Sequence, residues 1–260
     1  MVDVYIIRAI IAIFILAINA AIAGVFTIFK DVTFLVAGAA HAALAGASLA
    51  IVLSLFFNLN FDPIIGAIIF SVLIAIFSAH AKKTNIAIGI GFAASMSLAV
   101  LFISLIREQA ARVWGLLFGD LLLLTDHDII IMAITTIFIL MLVIYFHREF
   151  LFISFDNEGA MASGINVKLF NYILLSIIAI STVIIMKGVG AILVYAMLVA
   201  PAAASNEFAK SVLQVFSMAA IIALASGFVG LALAFYFNVS PGAIASLIAT
   251  SFYFLSIIRR

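Results

Sequence analysis

Residues 36–50 read VAGAAHAALAGASLA, and they sit inside a stretch, 32–57, that contains no acid, lysine or arginine. A helix rises 1.5 Å per residue, so about 20 such residues cross a hydrocarbon core of about 30 Å. Within the stretch Gly38, Ala42 and Gly46 recur every fourth residue and share one helical face. Small residues at that spacing let a second helix approach closely in lipid, so this span is expected near the centre of a bundle. Working outward, the pattern repeats: apolar runs cover 4–29, 32–57, 63–81, 86–106, 128–146, 169–186, 189–206, 211–237 and 240–258. Of the 260 residues, 68% are apolar and 9% charged, against about 25% charged in a soluble domain. Lipid must therefore solvate most of the exterior. The fold class expected is an all-α polytopic membrane protein with eight or nine transmembrane helices, forming a single domain over 1–260.

The N-terminal MVDVYIIRAI has no basic leader before its apolar run and reads as the first span rather than a cleaved signal. The runs at 169–186 and 189–206 meet at Lys187-Gly188-Val189-Gly190, expected as a tight turn, and the second contains Pro201. One of these two is the candidate for a broken or re-entrant helix buried against protein. Two longer connections remain, an outer loop at about 107–127 and a segment at about 147–168.

With nine spans the loops alternate between two sides. One side holds Lys30, Lys82, Lys83, Arg148, Lys168, Lys210, Arg259 and Arg260, and the other holds Arg107, Arg112 and Lys187, with Arg8 in the first span near that face. The positive-inside rule then places the C-terminus in the cytoplasm and the N-terminus outside. The outer side also carries Asp3, Asp62, Glu108, Asp120, Asp126 and Asp128, a mildly acidic face that suits an entering cation. A formal net charge of +1 excludes a nucleic-acid footprint, and the absence of cysteine excludes disulfides and thiolate metal sites. No GxxxxGK[ST], no HExxH and no mid-span carboxylate is present, which argues against an ATPase site, a zinc protease and a proton- or sodium-coupled carrier.

His41 stands near the middle of the second span, where an ionisable side chain is costly and marks a functional site by default. A neutral imidazole is also a common metal ligand; the competing reading is a histidine bonded to a neighbouring helix for packing. Asn19, in the first span, is its candidate partner. His80 and His147 lie beside basic residues at helix ends and read as interfacial, and the Asp126-His127-Asp128 triplet reads as helix capping. In 147–168, a short helix is expected over 156–163 with Asp156 as its N-cap, Glu158 in its first turn and Gly164 ending it. Such a helix between two spans is a natural docking element.

Four stretches give the chain a family resemblance: AHAALAG at 40–46, ISFDNEGAMASG at 153–164, VGAILVYAMLVAPAAAS at 189–205 and SPGAIASLIATSFYFLSI at 240–257. In order and spacing they resemble the membrane permeases of ABC transporters for divalent metal uptake, the zinc, manganese and iron importers. The resemblance implies a dimer in the cytoplasmic membrane of a prokaryote, formed with a second copy or a paralogue. It also implies a cytoplasmic ATPase dimer that uses the ATP, an extracytoplasmic metal-binding protein that delivers the ion, and a permease that binds no cofactor and performs no chemistry. Ser154, Phe155, Asp156, Glu158, Ala160 and Gly164 match the segment that couples to the ATPase. His41 matches a path histidine whose companion aspartate, four residues earlier, is replaced here by Ala37, and a following proline by Ala45. That departure leaves open a different small solute on the same scaffold. An ATP-independent secondary carrier is the rival from another class, and a purely structural membrane subunit a third.

Overall fold

A computed structural model describes residues 4–59, 61–106 and 110–258, except for the side chains of 110–112 and 114. Asp3, Arg107, Glu108, Arg259, Arg260 and the Arg112 side chain, all used in the orientation argument, lie outside the described residues.

The first span is one rod, α1 (Val4–Asn19) running through a π-helical turn at Ala20–Gly24 into α2 (Val25–Phe29). α3 (Phe34–Phe57), α4 (Pro63–His80) and α5 (Thr84–Leu105) follow as a serpentine. Asp62 accepts from the Ile64 N–H at 2.8 Å with Pro63 in the first turn, which caps α4. α6 (Ala110–Phe118) leads to α7 (Asp126–Tyr145), which opens on a capping box between Thr125 and Asp128. Then come α8 (His147–Phe155), α9 (Asn157–Ala162), α10 (Val167–Val189), α11 (Val194–Phe208), α12 (Val212–Phe237) and α13 (Pro241–Ile258). Among the described residues eight helices, counting α1–α2 as one, are long and apolar enough to cross a bilayer.

α11 is the ninth. Its 15 residues span only about 22 Å, short of a full crossing, and Met197, Leu198, Pro201 and Ala202 are buried. The expectation of one broken or protein-buried span at this place agrees with that geometry. The turn itself is displaced. Lys187, Gly188 and Val189 continue α10, and the chain reverses only from Gly190, whose φ is +88°. The reason is local: Gly190 and Gly119 (φ +61°) press backbone to backbone, and a Cβ on either would overlap the other strand of chain. α6 is held in place there, because the Ala191 and Ile192 N–H groups donate to the Leu116 and Leu117 carbonyls at 3.1 and 3.3 Å. The outer loop is therefore partly structural, with Val113, Leu121 and Leu124 buried.

Burial sorts the helices. α1–α2, α3 and α10 form the interior, whereas α4, α5 and α7 show apolar side chains to the surroundings, such as Phe77 and Ile90, each 67% exposed. An exterior of that kind is stable only in lipid, where backbone groups are satisfied inside helices. Two rims result. One gathers Lys30, the α4–α5 turn and α8–α9. The opposite rim gathers Asp62, Asp128 and Lys187.

Candidate functional site

From Leu35 to Ser48 every residue of α3 is buried except Ala37 and His41, and with exposed Phe34 these make a single open strip at i, i+3 and i+7. The positions of the missing aspartate and the retained histidine thus lie one turn apart on the same accessible face. His41 stands about 10 Å along α3 from Phe34 and about 7 Å from the helix centre, on the half toward the Lys30 rim. Its ring meets Phe92 of α5 edge-on at 4.9 Å, and Phe92 also meets Phe34 at 5.2 Å. His41 Nδ1 is buried with no hydrogen-bond partner among the described residues. A packing histidine would normally have spent that atom on a neighbour.

Asn19 is fully buried and faces elsewhere. Its Nδ2 donates to Thr136 Oγ1 of α7 at 2.7 Å and to the Ile15 carbonyl at 2.9 Å, and no hydrogen bond joins it to His41. It ties the first span to α7 immediately before the π-turn. No cluster of three or more His, Asp or Glu suited to a metal ion occurs among the described residues. Both aspartates of the Asp-His-Asp triplet are engaged structurally: Asp126 accepts two bonds from Arg8 at 2.6 Å, and Asp128 joins the capping box of α7 and pairs with Lys187. His80 Nδ1 lies 2.7 Å from the Tyr172 hydroxyl at the Lys30 rim, an interfacial role as expected.

The small-residue face of α3 divides. Gly46 crosses Gly66 of α4 so closely that a Cβ on either would overlap the other's carbonyl. Gly38 has only ordinary contact, with Ile88 Cγ2 at 3.5 Å, and Ala42 is simply buried. The close approach is thus made at one point.

At the Lys30 rim α8 and α9 form an elbow with Asp156 at its corner. Asp156 Oδ1 accepts from the Gly159 N–H at 2.9 Å, capping α9, and Gly164 (φ +83°) releases the chain into α10. Ser154 Oγ donates back to the Phe150 carbonyl at 2.6 Å. Ala160 is buried beneath the elbow, while Phe155 and Met161 are 62% and 64% exposed and Glu158 is exposed. Two large apolar side chains beside a carboxylate on a two-helix corner suit a protein partner.

Lys30, read from sequence only as a loop charge, positions this elbow. Its Nζ donates to the Ile153 carbonyl at 2.8 Å and lies 3.3 Å from Asn157 Oδ1. Burial lowers its pKa to about 8. Phe29 against Phe155 at 4.9 Å and Phe26 against Phe150 at 5.9 Å complete the join between α2 and the elbow. No local motif signals this, since the partners lie more than 120 residues away.

The family model described as the ABC 3 transport family matches residues 2–260. The manganese import system permease protein ScaB of Streptococcus gordonii is 30% identical over 249 residues, 94% of this chain and 86% of its own length. The high-affinity zinc uptake system membrane protein ZnuB of Haemophilus influenzae is 27% identical over 242 residues, 91% of this chain and 90% of its own. The solved structure of PsaBC from Streptococcus pneumoniae in complex with Fab superposes with a TM-score of 0.86 at 30% identity, covering 98% of this chain and 92% of that one.

Proposed function

The chain belongs to the ABC 3 transport family, and from that premise we propose that it is the permease of an ATP-driven importer that carries a divalent metal ion, manganese or zinc, into the cell. The observation that carries the reading is the whole-length likeness to ScaB, a manganese permease, with ZnuB supporting the wider metal class. The permease supplies a path, and a separate ATPase pair supplies the energy. A second copy of the chain completes the path, and an extracytoplasmic binding protein delivers the ion. The Lys30 rim faces the cytoplasm in this reading, supported by the basic residues gathered there. The α8–α9 elbow, through Ser154, Phe155, Asp156, Glu158, Ala160 and Gly164, receives the push of the ATPase.

His41 is the ion's contact on the open strip of α3. An imidazole on an accessible strip can hold a cation briefly, and a conducting site must release what it binds. Without a carboxylate at Ala37 the charge compensation is low, so the site is weak. Ala37 is also the one observation that favours a second reading, a different small solute on the same scaffold.

Reconstitution of the chain with its ATPase in vesicles tests the proposal. Metal accumulation that requires ATP hydrolysis and saturates with binding protein is expected. Accumulation that proceeds without any ATPase would make the chain a secondary carrier and end the reading.

A further inference from the structure

A polar cavity of about 410 Å³ opens at the Lys30 rim, and no step of the transport path described above uses it. Lys30, Lys83, Thr84, Asn85, Asn157 and Asn171 supply its polar wall. They come from four places in the chain: the end of the first span, the start of α5, the α8–α9 elbow and the start of α10. Its one acid, Asp31, is exposed.

The wall is rich in donors. An ammonium has three N–H groups, and Lys30 spends two, on Ile153 and Asn157, leaving one. Lys83 is exposed and stands at the N-cap of α5, a helix of 22 residues whose start has no side-chain cap. First-turn N–H groups and the positive end of the helix dipole therefore face the same wall. Asn171 also lines the cavity, and its buried carboxamide oxygen has no partner among the described residues. This combination recognises a phosphate bearing a further polar group.

The surroundings choose the source. Ile86 lines the cavity and is 55% exposed, and Ile90, one turn along α5, is 67% exposed. An apolar track thus leaves the polar cavity along the lipid-facing side of α5. A free phosphate has no use for that track, but an acyl chain does. We propose that this cavity holds the phosphate headgroup of an anionic phospholipid, with its chain lying along Ile86 and Ile90. Basic pockets at membrane helix ends take such headgroups through the same chemistry. The bound anion also offsets the cost of keeping Lys30 charged in a buried position. Because Lys30 and Asn157 hold the elbow, the lipid stiffens α8–α9. That consequence for coupling rests on the proposed function, whereas the binding does not.

The test separates the two. The purified chain is placed in mixed phosphatidylglycerol and phosphatidylcholine, and retained lipid is counted by native mass spectrometry. Phosphatidylglycerol is expected to be retained in preference. Lys83→Gln should weaken that retention about fivefold, the effect of one lysine at a membrane surface. Asn171→Leu should weaken it as well, while leaving the fold intact because it removes an unpaired acceptor. Retention unchanged in both variants overturns the site. Inorganic phosphate, titrated in phosphatidylcholine alone, is the second probe. A thermal shift of the native chain that Lys83→Gln abolishes, without any preference for phosphatidylglycerol, would assign the cavity to free phosphate and overturn the lipid. In the reconstituted transporter, phosphatidylglycerol should raise ATPase activity of the native complex more than that of Lys83→Gln. Loss of lipid retention once the ATPase is added would make the cavity part of the subunit interface and overturn the proposal, even with metal uptake intact.

Discussion

His41 and Lys30 are the two side chains whose surroundings ask for a function. His41→Ala should lower metal uptake about tenfold or more, by analogy with the cost of disturbing a metal's supporting groups. The variant should assemble normally, since the half-buried ring ties its Nδ1 to no neighbouring helix among the described residues; uptake at the native rate for every divalent metal would remove the ion-contact role. Ala37→Asp makes the complementary prediction. The new carboxylate would stand one turn from His41 on the same open strip, so metal retained by the purified chain should rise about tenfold and release should slow. No change in retention would show that the strip does not face the ion. Lys30 gives a pH signature. Its pKa is lowered to about 8, so between about pH 8 and the ordinary lysine value the unfolded chain binds more protons than the folded one. Stability from this group therefore rises with pH through that window. Between about pH 7 and about pH 9 the thermal midpoint should not fall on its account, while the charge that grips the elbow is lost. Lys30→Met should flatten the pH dependence of coupled ATPase activity; an unchanged profile would assign it to other groups, with Lys83 and Asp31 lining the same cavity.

Helix crossings and the elbow carry the predictions at the next scale. Gly46→Ala places a methyl against the Gly66 carbonyl, where backbone and not a flexible side chain must yield. A cost of about 1–3 kcal/mol is expected, read as a fall in thermal midpoint in detergent. Gly38→Ala, with ordinary contact only, should be neutral or stabilise by up to about 1 kcal/mol through helix propensity. Equal effects at both positions would refute the single close crossing. In the elbow, Asp156→Ala removes the cap of α9 at about 1 kcal/mol. Gly164→Val strains a residue at φ +83°. Both should leave metal binding intact and reduce transport per ATP hydrolysed, a ratio that a role confined to folding would not move. Sequence and structure agree at the elbow because caps and turns are local chemistry: Asp156 accepts from Gly159 three positions on, and Gly164 makes its turn in its own backbone.

For the whole molecule, sidedness is the first thing to establish. The chain has no cysteine, so single cysteines can be introduced without background. A cysteine at Ser163 should react only with a reagent admitted to the cytoplasm, and one at Leu123 only with a reagent outside. The reverse pattern would invert the importer reading and detach the elbow from any ATPase.

Composition and the length of the apolar runs determined that lipid surrounds this chain, because too few charges exist to wet its surface. They also placed the spans, to within a few residues, since each helix must satisfy its own backbone in hydrocarbon. The short elbow helix was legible in its cap and its glycine. Tertiary structure alone decided the rest. It shortened α11 against the first span, drew α6 back onto Gly190, separated Asn19 from His41, and set Lys30 beneath the elbow. Those outcomes depend on which helices touch and at what depth. In a chain apolar on nearly every face, hydrophobic periodicity says little about which face meets which neighbour, and close backbone approaches decide it instead.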